Sequence, residues 1–245
     1  MMILSVYTAK LPAEGMGRMD AIEQKILQVI DAHAEEIKAF GRDIFHHAEL
    51  GYQEHRTAGK FAEALRRLGM QPQEGLAVTG VKSELSGTRD QKLRVAVMGE
   101  LDALPISNAS HTNPETGAAH CCGHHAQLTG VLGAAIALSD PQVKASLDGM
   151  PVFMAVPAEE CVDFKEKLAE EGKIRYFGGK CEFIRIGVMD DIDLVVGHHS
   201  TTGDFEAGMG NSPSTGFVSK TVKYKGKASH AAGAPQKGVD ALNAA

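Results

Sequence analysis

The sequence predicts an α/β fold in which a mostly parallel sheet is flanked by helices. Short apolar segments typical of buried strands alternate along the chain with segments whose apolar residues recur at helical spacing. The predicted strands are residues 81–85, 93–98, 151–156 and 193–197. The predicted helices are residues 20–40, 54–68, 123–138 and 164–173.

Each predicted element has its own local signal. Asp20 is a suitable N-cap for the first helix, and Gly69 is a suitable stop for the second. A Gly-Thr-Arg-Asp turn at residues 87–90 separates the first two strands. Residues 123–138 are rich in alanine, leucine and valine, which indicates a buried helix. The stripe of the first helix consists of Ile22, Ile26, Ile30, Ile37 and Phe40.

A change of character near residue 212 predicts a second, smaller domain. Residues 1–19 carry little pattern, and residues 20–212 are expected to form the main domain. A hinge rich in glycine and serine follows, and residues 216–224 then alternate like an antiparallel strand. Residues 235–245 read as the beginning of a helix. Residues 213–245 are therefore predicted to be the start of a small α+β domain.

Composition excludes several classes of function. The net charge is −6 and no basic block is present, which argues against nucleic-acid binding. The best candidate for a membrane span, residues 131–138, is too short, and the N-terminus lacks the order of a signal peptide. Four cysteines, two of them vicinal, make a poor disulfide framework. A protein of the reducing cytoplasm is expected.

Three short motifs contain the residue types that bind metal ions and transfer protons. Residues 120–125 read His-Cys-Cys-Gly-His-His, residues 157–160 read Pro-Ala-Glu-Glu, and residues 197–199 read Gly-His-His. Thiolate, imidazole and carboxylate donors together suit zinc or a similar divalent ion. The acids and the last histidines follow predicted strands, as do Glu100 and Asp102, and open α/β sheets form their sites at the carboxyl ends of strands. These motifs predict a catalytic metal site and hence a metal-dependent hydrolase.

Other interpretations of the same residues remain open from the sequence. Gly123 lets Cys122 and His124 turn toward one point at a helix start, where the helix dipole favours a thiolate. The pair also fits a buried cysteine beside surface histidines, and adjacent acids are common on solvated surfaces. A cysteine hydrolase with Cys122 as nucleophile and His124 as base is an alternative, as is a non-catalytic metal-binding or dimerising fragment.

The motifs resemble those of the di-metal amidohydrolase and exopeptidase family that includes aminoacylase, glutamate carboxypeptidase and carnosine-type dipeptidases. The branch of indole-acetyl-amino-acid and aminobenzoyl-glutamate hydrolases is the most similar. Its His-Ala-Cys-Gly-His-Asp pattern matches residues 120–125, and its Pro-Ala-Glu-Glu pattern is intact. Its Asp-Ala-Leu-Pro and Gly-X-His patterns match residues 102–105 and 197–199. Its His-Pro-Glu-Leu with a following Glu and Thr-Ala resembles residues 47–50, Glu54 and residues 57–58, and its Gly-X-X-His-Ala-Ala resembles residues 226–232 with one additional residue.

The resemblance implies an amidohydrolase or peptidase that acts on small N-acyl amino acids, aminoacyl-glutamates or dipeptides with two divalent ions, zinc or manganese. Glu159 would be the general base that takes a proton from water and passes it to the departing amine. Asp102 would hydrogen-bond to a metal ligand and orient it without binding the metal itself. His230, in an inserted dimerisation domain, would polarise the scissile carbonyl in the partner subunit's site, which implies a homodimer. The implied metal ligands are Cys122, His124, Glu160 and His199.

The chain departs from the family pattern in several places. His125 replaces the usual aspartate, Gln127 replaces a frequent histidine, and Cys121 replaces alanine. Residues 161–176 look like an insertion after the paired acids. The family chain returns from the small domain to supply a final histidine ligand, and this sequence contains no counterpart. The main domain is therefore expected to be incomplete, with its site one ligand short.

Overall fold

The computed structural model describes residues 19–160, 165–200 and 222–245. The chain divides into two compact units, Met1–Gly203 and Asp204–Ala245, which are described separately below. No helix within the described ranges is long and apolar enough to cross a membrane.

The first unit is built on one mixed sheet of five strands with helices beside it, which confirms the α/β class. The strand order is β1-β2-β4-β3-β5. The strands β4, β3 and β5 run parallel, while β2 pairs antiparallel with β4 and β1 pairs antiparallel with β2. The strands are β1 Gln73–Leu76, β2 Gly80–Glu84, β3 Arg94–Glu100, β4 Met150–Val156 and β5 Leu194–Gly197.

Two features of the sheet were not part of the sequence-based prediction. The short strand β1 was not predicted, because only four residues form it and none of them is buried. The strands β2 and β3 do not form a hairpin across the turn at residues 87–90; both pair with β4, which lies between them. All seven residues of β4 are buried, as expected for a central strand covered on both faces.

Seven helices of the first unit lie within the described residues. Asp20 caps α1 through a capping box with Glu23, which confirms the predicted start. The predicted first helix is two helices, because the chain leaves helical geometry at His33, where ψ is 10°. The helices are α1 Ala21–Ala32, α2 Ala34–His46, α3 His55–Arg67, α4 His124–Ser139, α5 Pro141–Ser146, α6 Lys165–Glu170 and α7 Gly179–Arg185.

Apolar clusters cover both faces of the sheet and fix its carboxyl edge in place. On one face Phe61 of α3 and Leu128 of α4 pack with Phe153 of β4. On the other face Phe183 of α7 packs with Met154 of β4. The helix α4 is apolar around most of its circumference and is correspondingly buried. This packing holds the first turn of α4 beside the ends of β3 and β4.

The second unit is described from residue 222 onward. A backbone bridge joins Lys227 to Val239, and a 3₁₀ turn covers Pro235–Lys237. The helix α8, Ala241–Ala244, starts after Asp240, whose side chain accepts two backbone N–H groups. The helix predicted for residues 235–245 is therefore interrupted, since Gly238 is extended and Asp240 caps a new start. Most of the strand predicted for residues 216–224 falls outside the described residues.

Candidate metal centre

Three parallel strands end at the same edge of the sheet and bring distant motifs together. Glu100 is the last residue of β3 and pairs in register with Val156, the last residue of β4. The strand β5 ends at Gly197 beside β3, two residues before His199. The first turn of α4 arrives at this edge with His124. The placement predicted from strand ends is therefore observed.

His124 lies at the centre of the cluster and is almost completely buried. Its Nδ1 atom lies 2.9 Å from the carbonyl oxygen of Asp102 and 3.2 Å from Asp102 Oδ1. Its Nε2 atom lies 2.9 Å from Oε2 of Glu100. A histidine whose Nδ1 is hydrogen-bonded to the protein has its Nε2 oriented for a ligand, which is the usual arrangement of an imidazole that binds a metal.

Cys122 and His199 complete a group of one sulfur and two nitrogen donors with His124. The donor atoms of the three side chains all lie within 4.8 Å of one another. Cys122 Sγ lies 3.4 Å from His199 Nε2. Gly123 makes this approach possible because it has a φ of 103° and because a Cβ atom there would lie 2.0 Å from the Ser200 hydroxyl. The structure therefore brings these three implied ligands together, and the fourth, Glu160, lies beside His124.

The paired acids lie on the open side of His124. Oε2 of Glu159 lies 3.9 Å and Oε1 of Glu160 lies 3.8 Å from Nε2 of His124. The backbone N–H of Glu160 donates to Oδ2 of Asp102 over 2.9 Å, so Asp102 orients both the histidine and the acidic turn. Because the two acids are almost equally distant from His124, the geometry alone does not separate their roles.

A buried carboxylate at the N-cap of α3, that of Glu54, supports the turn that carries the acids. Ala158 has a φ of 50°, in the left-handed region that is unfavourable for an alanine. Its backbone N–H donates to Oε1 of Glu54 over 2.8 Å, and the hydroxyl of Thr79 donates to the other oxygen over 2.6 Å. Gly179 approaches from α7 so closely that a Cβ atom would lie 1.8 Å from the carbonyl oxygen of Pro157. The turn is thus fixed from two sides.

Electrostatics at the site favour a cation among the carboxylates. Burial opposes a charge on His124, but the carboxylates of Asp102 and Glu100 outweigh it and raise the pKa to about 10. Burial also opposes ionisation of Glu100, yet His124 and Lys180 hold its pKa at about 2. Burial and the neighbouring Glu100 raise the pKa of Glu159.

The thiol of Cys122 behaves differently from the sequence-based expectation. Burial and the carboxylate of Glu160 raise its pKa to about 12, so the helix start does not make it a thiolate. A nearby divalent cation reverses this balance, since it stabilises the thiolate and displaces the proton from an imidazole ligand. The site therefore suits metal binding better than a free cysteine nucleophile.

The hydrogen bonding of the buried donor atoms also suits a divalent ion. Three buried atoms lack a hydrogen bond of acceptable geometry within the described part of the chain: Glu100 Oε2, His124 Nε2 and Glu160 Oε1. Buried polar atoms without partners are rare and costly, and here they converge on one point. A metal ion satisfies all three at once.

Some histidines singled out from the sequence lie elsewhere. The ring of His198 packs against Gly130 of α4, away from His199, as strand alternation predicts. His120 and His125 are buried beside Phe45 and His111 rather than among the carboxylates. His230 lies in the second unit, where its Nδ1 accepts the backbone N–H groups of Ala232 and Gly233.

The sequence analysis did not assign the roles of four residues that contribute to the site. Glu100 was placed among the candidate metal residues at strand ends, but it is not in the ligand set that the resemblance implies. Glu54 matched a family position, but nothing local indicated that it reaches the turn at Ala158, 104 residues away. Lys180 donates to Glu100 and lies 3.9 Å from Glu159 Oε1. Gln127, noted as a departure, accepts the backbone N–H of Glu100 over 2.8 Å.

Comparison with known proteins agrees with this geometry. None of the models of known protein families matches the chain. The Xaa-Arg dipeptidase of Mus musculus is 30% identical over 237 residues, which cover 93% of this chain and 48% of the relative. The N-acyl-L-amino acid amidohydrolase of Geobacillus stearothermophilus is 28% identical over 180 residues, which cover 72% of this chain and 44% of the relative. The chain thus spans about half the length of the relatives it matches.

A solved structure extends the similarity to the fold. The YXEP protein of Bacillus subtilis, described as a dinuclear metal-binding peptidase from the M20 family, superposes with a TM-score of 0.54 and 25% identity. The match covers 67% of this chain and 42% of that protein. The relatives, the shared fold and the gathered motifs agree: the proteins that this chain resembles in sequence and structure are amidohydrolases and peptidases of the M20 family.

Proposed function

We infer that this protein is a metal-dependent amidohydrolase that cleaves the amide bond of a small N-acyl amino acid, aminoacyl-glutamate or dipeptide. The observation that carries this proposal is the convergence of Cys122, His124 and His199 on the paired acids at one sheet edge. The names of the dipeptidase and the amino acid amidohydrolase among the relatives support the substrate class.

The ligands in this proposal are Cys122, His124, Glu160 and His199, with Asp102 as the residue that orients His124. Two divalent ions, zinc or manganese, fit the mixture of sulfur, nitrogen and oxygen donors. A bound divalent ion polarises the amide carbonyl and makes water easier to deprotonate. The description of a structural relative as a dinuclear metal-binding protein supports the number of ions.

Glu159 is the general base in this proposal. It takes a proton from the attacking water and delivers it to the departing amine, so that one carboxylate serves both halves of the reaction. Its raised pKa supports the role, because a carboxyl group whose pKa lies closer to neutrality accepts and returns a proton more readily. Its position on the same turn as Glu160 allows the neighbouring acid to bind metal.

His230 supplies a hydrogen-bond donor to the scissile carbonyl in this proposal. Since its Nδ1 accepts two backbone N–H groups, the proton of the neutral ring resides on Nε2, which is then free to donate outward. The resemblance assigns this donor to the site of a second subunit, so a homodimer is part of the proposal. The thiols of Cys121, Cys122 and Cys181 are free, which is consistent with a cytoplasmic location.

The rival proposal of a cysteine hydrolase has less support. The raised pKa of Cys122 disfavours the thiolate that such chemistry needs. The ring nitrogens of His124, the base in that proposal, face Asp102 and Glu100.

A panel assay separates the proposals. Protein loaded with Zn²⁺ or Mn²⁺ is offered N-acetyl amino acids, aminobenzoyl-glutamate and dipeptides, with and without EDTA. Metal-dependent hydrolysis is expected, with turnover stopped by EDTA and by Glu159→Gln. Turnover that survives EDTA but is lost in Cys122→Ser would establish the cysteine mechanism instead. Metal binding without hydrolysis of any substrate would favour a non-catalytic fragment.

A further inference from the structure

Glu100 is a buried carboxylate in the site that the implied ligand set does not use. It ends β3, and only 5% of its side chain is exposed. Its Oε2 atom lies 2.9 Å from Nε2 of His124, yet neither atom has a hydrogen bond of acceptable geometry. The donor atoms of Glu100, His124 and Glu159 lie within 4.8 Å of one another. The two atoms attract each other electrostatically without a well-aligned hydrogen bond, and both can bind a cation that replaces the proton between them.

Lys180 holds the other oxygen of the same carboxylate. Its ammonium donates to Oε1 of Glu100 and lies 3.9 Å from Oε1 of Glu159. Since 43% of the Lys180 side chain is exposed, the ammonium can turn to solvent without moving α7. A positive charge at this position repels a divalent ion bound at the adjacent oxygen.

We propose that Glu100 is an additional metal ligand in this chain and that Lys180 competes with the metal ion for its carboxylate. The inference rests on the metal centre proposed above and adds to it one donor and one competing cation. In the metal-free protein the ammonium of Lys180 partly neutralises Glu100 and Glu159. When the metal binds through Oε2, the ammonium loses part of its attraction to Glu100 and turns toward solvent.

The two residues are expected to change metal affinity in opposite directions. Glu100→Gln keeps the shape of the side chain but removes its charge, so zinc affinity should fall about 10-fold or more. Lys180→Gln removes the competing charge, so zinc affinity should rise about 10-fold if the lost repulsion is about 1.4 kcal/mol. Because Lys180 acts through Glu100, the gain from Lys180→Gln should largely disappear when Glu100→Gln is already present.

The test measures zinc affinity directly and does not depend on activity. Metal-free protein and its variants are titrated with Zn²⁺ in competition with a chromophoric chelator, and circular dichroism verifies that each variant is folded. Lys173→Gln is the matched control, because Lys173 is exposed and pairs only with Glu171 in the described structure. Its zinc affinity should equal that of the unaltered protein.

The outcomes distinguish this inference from the proposed function. If Cys122→Ser weakens zinc binding but Glu100→Gln does not, the metal centre stands and the added ligand is refuted. If Lys180→Gln leaves zinc affinity unchanged or lowers it, the competition is refuted. If the unaltered protein binds no zinc, the proposed function fails together with the inference.

Discussion

Glu54→Gln tests how the buried carboxyl group of Glu54, the residue just before α3, supports the acidic turn. Glu54 is completely buried and accepts hydrogen bonds from the backbone of Ala158 and the hydroxyl of Thr79. Burial raises its pKa from 4.5 to about 7, because the charged form loses its hydration. Glutamine keeps one acceptor for Ala158 and can donate to the Thr79 oxygen, so the variant removes the charge with little loss of shape.

The sign of the pH effect follows from the direction of this shift. A carboxyl group with a raised pKa in the folded protein stabilises the fold fully below pH 4.5, and this contribution is lost as pH rises through about 7. At about 1.4 kcal/mol per pKa unit, the loss between these limits is about 3 kcal/mol. The free energy of unfolding should therefore fall more steeply with pH in the unaltered protein than in Glu54→Gln.

Urea denaturation followed by circular dichroism at several pH values between 4.5 and 8 measures this difference. Between pH 4.5 and 8 the unaltered protein should lose about 3 kcal/mol more of its free energy of unfolding than Glu54→Gln does. Glu63→Gln, on the exposed side of α3, is the matched control for loss of an acidic side chain. Parallel pH profiles for Glu54→Gln and the unaltered protein would refute the reasoning.

Three further predictions concern the paired acids, the core of the sheet and the loop at Gly123. Glu159→Gln should abolish turnover while sparing metal content, whereas Glu160→Gln should lower metal content first. Elemental analysis measures the metal content, and equal loss in both variants would mean that the roles are wrongly assigned. Phe153→Ala removes a fully buried ring and should lower the free energy of unfolding by about 3–5 kcal/mol in urea denaturation, with the half-exposed Phe177→Ala near zero as its contrast. Gly123→Ala introduces a Cβ atom 2.0 Å from a neighbouring hydroxyl oxygen, at a residue whose φ is 103°. The loop that positions Cys122 and His124 should therefore be displaced, and zinc titration should show that binding is lost. Normal zinc affinity would contradict the observed loop geometry.

Local signals in the sequence were sufficient to predict the parts of the fold on which the site depends. The buried strands β3 and β4 and the apolar helix α4 have continuous apolar patterns, so their existence and approximate bounds could be predicted. The placement of Glu100, Glu159 and His199 at one edge follows once the strands are taken as parallel. The partners of β2 and the existence of β1 could not be predicted, since strand pairing is decided by tertiary packing.

The supporting contacts within the site were harder to predict than the donors themselves. The hydrogen bond from Ala158 to Glu54 joins residues that are remote in sequence, and a left-handed alanine has no signature of its own. The raised pKa of Cys122 arises from the carboxylates that the fold gathers around it, which outweigh the helix-start effect visible in the sequence. Lys180 lies beyond a segment with no clear counterpart in the family pattern, so no motif pointed to its contact with Glu100.

Titration of the metal-free protein with Co²⁺ tests most directly whether Cys122 is a ligand of a mixed-donor metal centre. A cobalt–thiolate bond produces a charge-transfer absorption band, which histidine and carboxylate ligands alone do not give. The neighbouring Cys121 provides a matched control, since its sulfur lies near His111 instead of the carboxylates. The unaltered protein and Cys121→Ser should both show the band, and Cys122→Ser should lack it. A band that survives in Cys122→Ser, or that is absent from the unaltered protein when Co²⁺ is bound, would contradict the proposed centre.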